Sequence, residues 1–376
     1  MSIDAFGLIY TGEDNPRMRD LTFSRAVAAL PFGARYRCID FILSDMVNSG
    51  VTSVGLITQK NYHSLMDHIG AGKEWDLNRR RDGLFILPPF MTKESAGIYR
   101  GSVDAYRASM GYVRRCKERY VILSGSHTIF NSTFDDMLAA HVKSGADITI
   151  MYSAAGKVDP EDINDDLRLV MDDTGRVTAM ELDSYNPQSS ARSDDVLIME
   201  KSLFEYLVEE AYSRGEYSFD RDILLKKCSS LRIYGYEFKG YVARMDSAVS
   251  FYRHNMDMLD YSVTRELFDS VNKPPIYTKI KDETSSLLGK EAEVKNCMMA
   301  DGCEIEGTLE NCIVFRGVKV GKGSVIRNSI LMQDTVVGEN CNVDHVIFDK
   351  SVTVRDGRNL VGYGDYPIIL RKGATV

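Results

Sequence analysis

Toward its C-terminal end the chain repeats itself every six residues. Gly323, Ser329, Thr335 and Cys341 are small residues six apart, and Val325, Leu331, Val337 and Val343 follow each of them two places later. A small residue, any residue, then an aliphatic one, at period six, predicts the hexapeptide turns of a left-handed parallel β-helix. Each aliphatic side chain would point into a triangular prism, and each small residue would fit the tight corner beside it. Cys303/Ile305 and Asn311/Ile313 carry the same unit less regularly. The alternative is an ordinary β-sandwich with accidental periodicity.

The first two-thirds of the chain has a different texture. Ala5–Tyr10, Val54–Thr58, Tyr120–Ser124 and Asp147–Tyr152 are short runs rich in apolar residues and bounded by turn residues, which predicts buried strands. Helix-like segments, Phe41–Ser49, Ser102–Arg115 and Asp135–Lys143, lie between them. Strands alternating with helices predict a largely parallel α/β sheet with helices on both faces. Ligands of such sheets sit at the carboxyl ends of the strands, here the loops after Tyr10, Ser124 and Tyr152. Lys273–Leu288, with Pro274–Pro275 and little periodicity, is the expected connection, so the expected units are 1–272, 273–288 and 289–376.

With 376 residues, 44% of them hydrophobic, the chain can build both units without metal or disulfide staples. A net charge of −8 argues against nucleic acid or an anionic membrane as the main partner. Seven scattered cysteines, with no CxxC pair, fit a reducing compartment. Residues 1–30 lack a basic segment leading into an apolar run, and no apolar stretch of about 18 residues occurs, so the expected location is the cytoplasm.

Four segments, RMRDLTFSRAVAALPFGARYRCIDFILSDMVNSGV (17–51), WDLNRRRDGLFILPP (75–89), YRGSVDA (99–105) and YVILSGSHTIF (120–130), resemble the bacterial glucose-1-phosphate adenylyltransferase (ADP-glucose pyrophosphorylase) family. The resemblance spans nearly the whole chain. It implies a Rossmann-like nucleotidyltransferase domain with a mostly parallel sheet, followed by a hexapeptide β-helix.

Where the chain departs from that family is informative. Active members carry a GGxGxRL loop after the first strand, whose backbone N–H groups cradle a triphosphate. Here the stretch is Thr11-Gly12-Glu13-Asp14-Asn15-Pro16-Arg17-Met18; Gly12 and Arg17 match, and Pro16 has no N–H to give. Glu13 and Asp14 would oppose a polyphosphate, at roughly 4 kcal/mol for like charges about 4 Å apart at an effective dielectric of about 20. The resemblance further implies a Mg²⁺-binding carboxylate in a GDH motif, where this chain has Gly125-Ser126-His127. A second acidic position corresponds to Asp246, in Arg244-Met245-Asp246. The lysine of RAKPAV is replaced by Val27, the following glycine-glycine-lysine by Gly33-Ala34-Arg35, and an EKP lysine has no counterpart near Glu181-Leu182-Asp183.

Tyr99, Gly101 and Asp104 are retained, and Arg17, Arg25, Arg35 and Arg37 form an expected basic cluster at the pocket mouth. That cluster either binds a phosphorylated effector or phosphate, or pairs with Asp20 and Asp40; Ser24 stands where some relatives use a lysine for their activator. Arg79–Arg81 reads as a solvated face and His127 as a loop histidine.

Degenerate, GlgD-type members of the family accompany a catalytic subunit. The resemblance therefore implies a regulatory subunit in a hetero-oligomer, with no cofactor of its own and with Mg²⁺ only in its partner. Its expected binding residues are Gly12, Arg17, Arg25, Arg35, Tyr99, Gly101 and Asp104; Val27 and Ser126 are degenerate positions and Asp246 a retained one. Two rivals stand beside it: a weakly active nucleotidyltransferase using Asp246, and an acyltransferase on the hexapeptide helix, for which His345 is the available histidine.

Overall fold

The computed structural model describes residues 3–12, 15–89, 91–92, 95–96, 98–154, 166–269 and 271–376. The apolar run Ala5–Tyr10 forms β1, buried along almost its whole length because other strands flank it on both sides. Further strands are β2 (Ser53–Ile57), β3 (Gly83–Leu87), β4 (Tyr120–Ser124), β5 (Ile148–Ala154), β6 (Leu167–Met171), β7 (Val177–Leu182), β8 (Ala191–Glu200) and β9 (Ile233–Glu237). They make a nine-stranded sheet in the order β7-β6-β8-β4-β1-β2-β3, with β5 on β8 and β9 on β5.

The expected parallel arrangement holds for β3, β2, β1 and β4. Beyond them β8 runs antiparallel to β4, β5 and β6, so the sheet is mixed. No apolar alternation in the sequence announced that reversal.

Helices cover both faces. Helix α1 (Cys38–Asn48) lays Ile39, Ile42, Leu43 and Met46 on one face, and α2 (His63–Ile69) adds Leu65 and Ile69 there. Helix α3 (Lys201–Ser213) presents Phe204, Leu207, Val208 and Ala211, one stripe at helical spacing, to the other face. Gly7 and Gly55 let these layers approach: a Cβ would stand 2.3 Å from Met46 Sδ at the first and 2.6 Å from the Tyr112 ring at the second. The segment expected as one helix, Ser102–Arg115, is two, Ser102–Ala108 and Met110–Val113. The break falls at Ser109, whose hydroxyl donates to the Ala105 carbonyl.

The C-terminal unit is the left-handed parallel β-helix, three stacked sheets of five short strands each. Its first rung includes Leu287–Leu288, inside the stretch expected as the connection. Paired residues are 17 apart in most rungs, as in Lys319↔Val336↔Thr353, rather than the 18 that three strict hexapeptides would give. The missing residue is taken out at corners where Asn311, Asn328 and His345 adopt positive φ (52°, 46° and 53°). Asn311 Nδ2 donates to Asn328 Oδ1 at 3.3 Å and Asn328 Nδ2 to Asp344 Oδ1 at 2.9 Å, tying the corners into a ladder.

This corner corrects two expected repeat units. Ser329/Leu331, Thr335/Val337 and Cys341/Val343 do point inward, but before them Ser324 and Ile326 are the buried pair, and Val325 is partly exposed. Likewise Cys312 and Val314 face the prism, whereas Ile313 faces outward. Ile313, Ile330 and Ile347 stack as an outward column with Phe315 and Met332. That column packs on Met18, Leu21, Val27, Phe32, Phe41 and Phe251, so the two units share a hydrophobic core. All seven cysteines are free thiols, six of them buried. Among the described residues no helix is long and apolar enough to cross a membrane.

Candidate functional site

Two cavities matter, and they have opposite electrical character. The larger, about 540 Å³, opens at the carboxyl ends of β1 and β4, where a doubly wound sheet places ligands. Gly12, Gly101, Tyr106, His127, Asp195, Glu216, Tyr217, Asp220 and Asp222 line it, with Arg100 and Lys226 as its cations. Both cations are engaged. Lys226 Nζ lies 2.7 Å from Glu216 and 3.0 Å from Asp222, and Arg100 pairs with Asp104 at 3.3 Å while lying 4.0 Å over the Tyr217 ring.

The loop after β1 is held as a capped turn. Asn15 Oδ1 accepts the Arg17 N–H at 3.0 Å, Pro16 opens a 3₁₀ segment over Pro16–Thr22 that kinks at Arg19 (φ 51°), and Asn15 Nδ2 donates to the Asp246 carbonyl at 2.6 Å. Glu13 and Asp14, expected to repel polyphosphate, lie outside the described residues. Gly12 is hemmed in, since a Cβ there would come within 2.7 Å of Gln59 Oε1 and the Tyr10 ring.

The residues expected to mark lost metal and phosphate handling are placed as follows. Val27 is buried in the core shared with the β-helix. Ser126 is fully buried, its hydroxyl has no hydrogen-bond partner among the described residues, and it does not line the cleft. Asp246 is also buried, with Oδ2 2.7 Å from Arg192 Nη2 and 3.3 Å from Arg244 Nε. Burial pushes its pKa up, but Arg244 and Arg192 outweigh that and hold it below the usual carboxylate range. It acts as counter-ion to two arginines. Among the described residues no group of three His, Cys, Asp or Glu side chains could hold a metal ion. Asp246 is committed to its arginines and Ser126 carries no anionic oxygen, so neither of the two expected metal positions offers Mg²⁺ an unengaged carboxylate.

Gly101 lines the cleft, whereas Tyr99 and Asp104 are not among its lining residues. The Tyr99 carbonyl accepts from Gln59 Nε2 at 3.1 Å, and Asp104 Oδ2 accepts the Arg100 N–H at 3.2 Å. A Cβ on Gly101 would sit 2.3 Å from the Tyr217 carbonyl oxygen, so only glycine lets the segment run against Tyr217.

The second cavity lies where the sheet domain meets the β-helix. Arg35 and Arg37 from one turn, Lys279 and Lys281 from the connection, and Arg316 and Lys350 from the helix line it; Pro31, Ala34, Tyr36, His68, Phe315 and Gln333 complete it, so among the described residues no carboxylate does. Arg37 donates to the Ser64 carbonyl at 2.5 Å, and His68 Nε2 lies 2.5 Å from Asp40 Oδ1 behind the wall. The cations disturb one another. Burial first, then Arg37, Arg25 and Lys281, bring Lys350 down to about 7, and burial brings Arg37 down to about 10. Lys281 and Arg316 are lowered too, by burial and then by neighbouring arginines.

The expected arginine cluster is thus divided. Arg35 and Arg37 line the basic pocket, while Arg17 is not among its lining residues. Arg25 is corrected outright: it is buried and grips Asp349 of the β-helix with contacts of 2.6 and 2.8 Å, joining the two units instead of waiting for a ligand. Lys279, Lys281, Arg316 and Lys350 were not singled out by sequence; the Lys-x-Lys at 279–281 was the one local hint.

Comparison with known proteins agrees with this anatomy. Residues 7–237 match the nucleotidyl transferase family, and residues 280–365 match the GlmU-like C-terminal hexapeptide family. The chain is 36% identical to the glycogen biosynthesis protein GlgD of Bacillus subtilis, over 95% of this chain and 92% of that one. It is 38% identical to the GlgD of Geobacillus stearothermophilus, over 95% and 93%. A glucose-1-phosphate adenylyltransferase of Clostridium perfringens is 33% identical over 88% and 84%. The chain belongs to the nucleotidyl transferase family, in the group of glycogen-biosynthesis GlgD proteins and glucose-1-phosphate adenylyltransferases.

Proposed function

We propose that the chain is a catalytically impaired regulatory subunit of a glucose-1-phosphate adenylyltransferase. It takes a phosphorylated effector or phosphate in the basic pocket and modulates a catalytic partner in a cytoplasmic hetero-oligomer. The observation that carries this reading is the pocket itself: six cations from both structural units and the connection, with no lining carboxylate among the described residues, and with Lys350 brought down to about 7 by burial and its neighbours. An anion there relieves the mutual repulsion and draws the two units together. An arrangement that binds the anion better is thereby favoured, and a partner that prefers that arrangement feels the effector as a coupling free energy.

The cleft side supports the same division of labour. Asp246 is spent on Arg192 and Arg244, and Ser126 is buried. Mg²⁺ and the conversion of ATP and glucose 1-phosphate to ADP-glucose and pyrophosphate are accordingly assigned to the partner.

The test is to mix the chain with a catalytic glucose-1-phosphate adenylyltransferase and follow ADP-glucose synthesis against phosphate concentration. The reading expects co-migration of the two chains and a phosphate response that changes when this chain is added. No co-migration, with a response identical in its presence and absence, would sink it.

A further inference from the structure

The first two rungs of the β-helix stack two thiols on one corner. Lys295 pairs with Glu310 and Met298 with Ile313, so Asn296–Cys297 and Asn311–Cys312, the residues between, lie one above the other. Hydrogen bonds on both sides hold that register. Asn296 Nδ2 donates to Asn311 Oδ1 at 2.8 Å, and the Met298 N–H donates to the Cys312 carbonyl at 3.0 Å. The thiols share one orientation, each donating at 3.2 Å to the carbonyl two residues back, Cys297 to Lys295 and Cys312 to Glu310. Paired strands lie roughly 4.8 Å apart. A disulfide spans roughly 4.4–6.8 Å between Cα atoms, so the stack meets that requirement. Cys303 and Cys341 differ: the same register sets them against Ser286 and Ser324, with no cysteine above or below.

The two thiols differ in access. Cys312 is buried and Cys297 half-buried. The strands of the first rung are the end strands of all three β-helix sheets, and Leu287, Leu288 and Val294 are exposed there. A reagent reaches Cys297 from this open side, and a rung paired on one side only can shift slightly to close a bond. Hydrogen bonding by Cys312 brings Cys297 down to about 7, whereas burial pushes Cys312 up. One sulfur is therefore accessible and nucleophilic near neutral pH, and the other stands behind it.

We propose that Cys297 and Cys312 form a reversible disulfide that staples the first rung of the β-helix to the second, the oxidant being the disulfide of a low-molecular-weight thiol. The Cys297 thiolate attacks one sulfur of that disulfide, forms a mixed disulfide and expels one small thiolate. Cys312 then loses its proton and attacks Cys297 Sγ. The Cys297–Cys312 bond forms as the second small thiolate leaves, and the two expelled thiolates take up the two protons that the cysteines gave. Two protein thiols are oxidised and one small disulfide is reduced to two thiols. This goes beyond the effector reading, because it concerns a covalent modification away from the basic pocket.

The test incubates the full, folded, reduced chain with oxidised glutathione near neutral pH, then alkylates it and maps it by peptide mass spectrometry. Two of the seven thiols should escape alkylation, in one linked pair of peptides holding Cys297 and Cys312, and dithiothreitol should restore all seven. Cys312→Ser places at this corner the residue that the next rung already has, Ser329. That variant should stop at a glutathione adduct on Cys297, and Cys297→Ser should give neither adduct nor linkage. A cooperative melt shows that a variant has folded; if Cys312→Ser gives none, the unmodified chain and Cys297→Ser decide between them. A lasting glutathione adduct on Cys297 in the unmodified chain, a linkage between other cysteines, or seven free thiols after incubation would each overturn the proposal. None of these outcomes touches the phosphate response of the mixed enzyme, so the two readings fall separately.

Discussion

The cleft and the basic pocket handle charge in opposite ways. In the cleft, Arg100 and Lys226 each have a carboxylate partner, and acids outnumber bases. In the basic pocket the cations crowd one another, and the nearest acid to Lys350, its neighbour Asp349, is already gripped by Arg25. A site whose cations are already paired gains little from an anion, whereas one whose cations repel one another gains much. On the proposed reading, that difference puts anion sensing at the domain junction rather than in the cleft.

The largest predicted effect comes from the frame of the basic pocket. Arg25→Ala leaves Asp349 buried without its partner, which should cost about 3–5 kcal/mol. Denaturant unfolding would read it, and a loss below about 1 kcal/mol would remove Arg25 as the clamp between the two units.

Next comes Lys350→Met. Removing the cation should lower sulfate affinity at least about tenfold, near 1.4 kcal/mol. The variant should also be more thermostable at pH 7. The sign follows from a folded-state pKa of about 7 against an ordinary value of 10.5. Charged Lys350 is a burden on the folded state, fully present below pH 7 and relieved as pH rises toward 10.5. Unchanged sulfate affinity would break the comparison.

A smaller effect is in pH. Sulfate binding favours charged Lys350, so affinity should be highest below about pH 7 and should fall several-fold by pH 8.5. Affinity rising with pH would contradict it. Arg37, brought down to about 10, Lys281 and Asp349 face the same group and set how steep the fall is.

The smallest is in the cleft. Lys226→Gln removes a cation that is 53% exposed, so the melting temperature should barely move and sulfate affinity at the other pocket not at all. A large loss of sulfate binding would show that the two cavities are not independent.

Much of this molecule can be read from its sequence, for identifiable reasons. The runs Ala5–Tyr10 and Tyr120–Ser124 coincide with buried strands, because a strand flanked on both sides must be apolar throughout. The β-helix is equally legible in Ser329/Leu331, Thr335/Val337 and Cys341/Val343. It slips at Ser324/Ile326 and Cys312/Val314, since a positive-φ corner such as Asn328 or Asn311 shortens the coil without altering composition. The basic pocket was half hidden. Arg35 and Arg37 stand in a recognisable segment, but Lys281, Arg316 and Lys350 come from far along the chain and meet only through folding. Arg25 shows no local sign of its ion pair, because its partner, Asp349, is 324 residues away.

The central claim is that reaction chemistry has left this chain. The direct measurement is ADP-glucose synthesis by the purified chain alone, with ATP, glucose 1-phosphate and Mg²⁺, beside a catalytic relative. Turnover at the level of the uncatalysed background is the predicted result; turnover comparable to the relative would contradict the account.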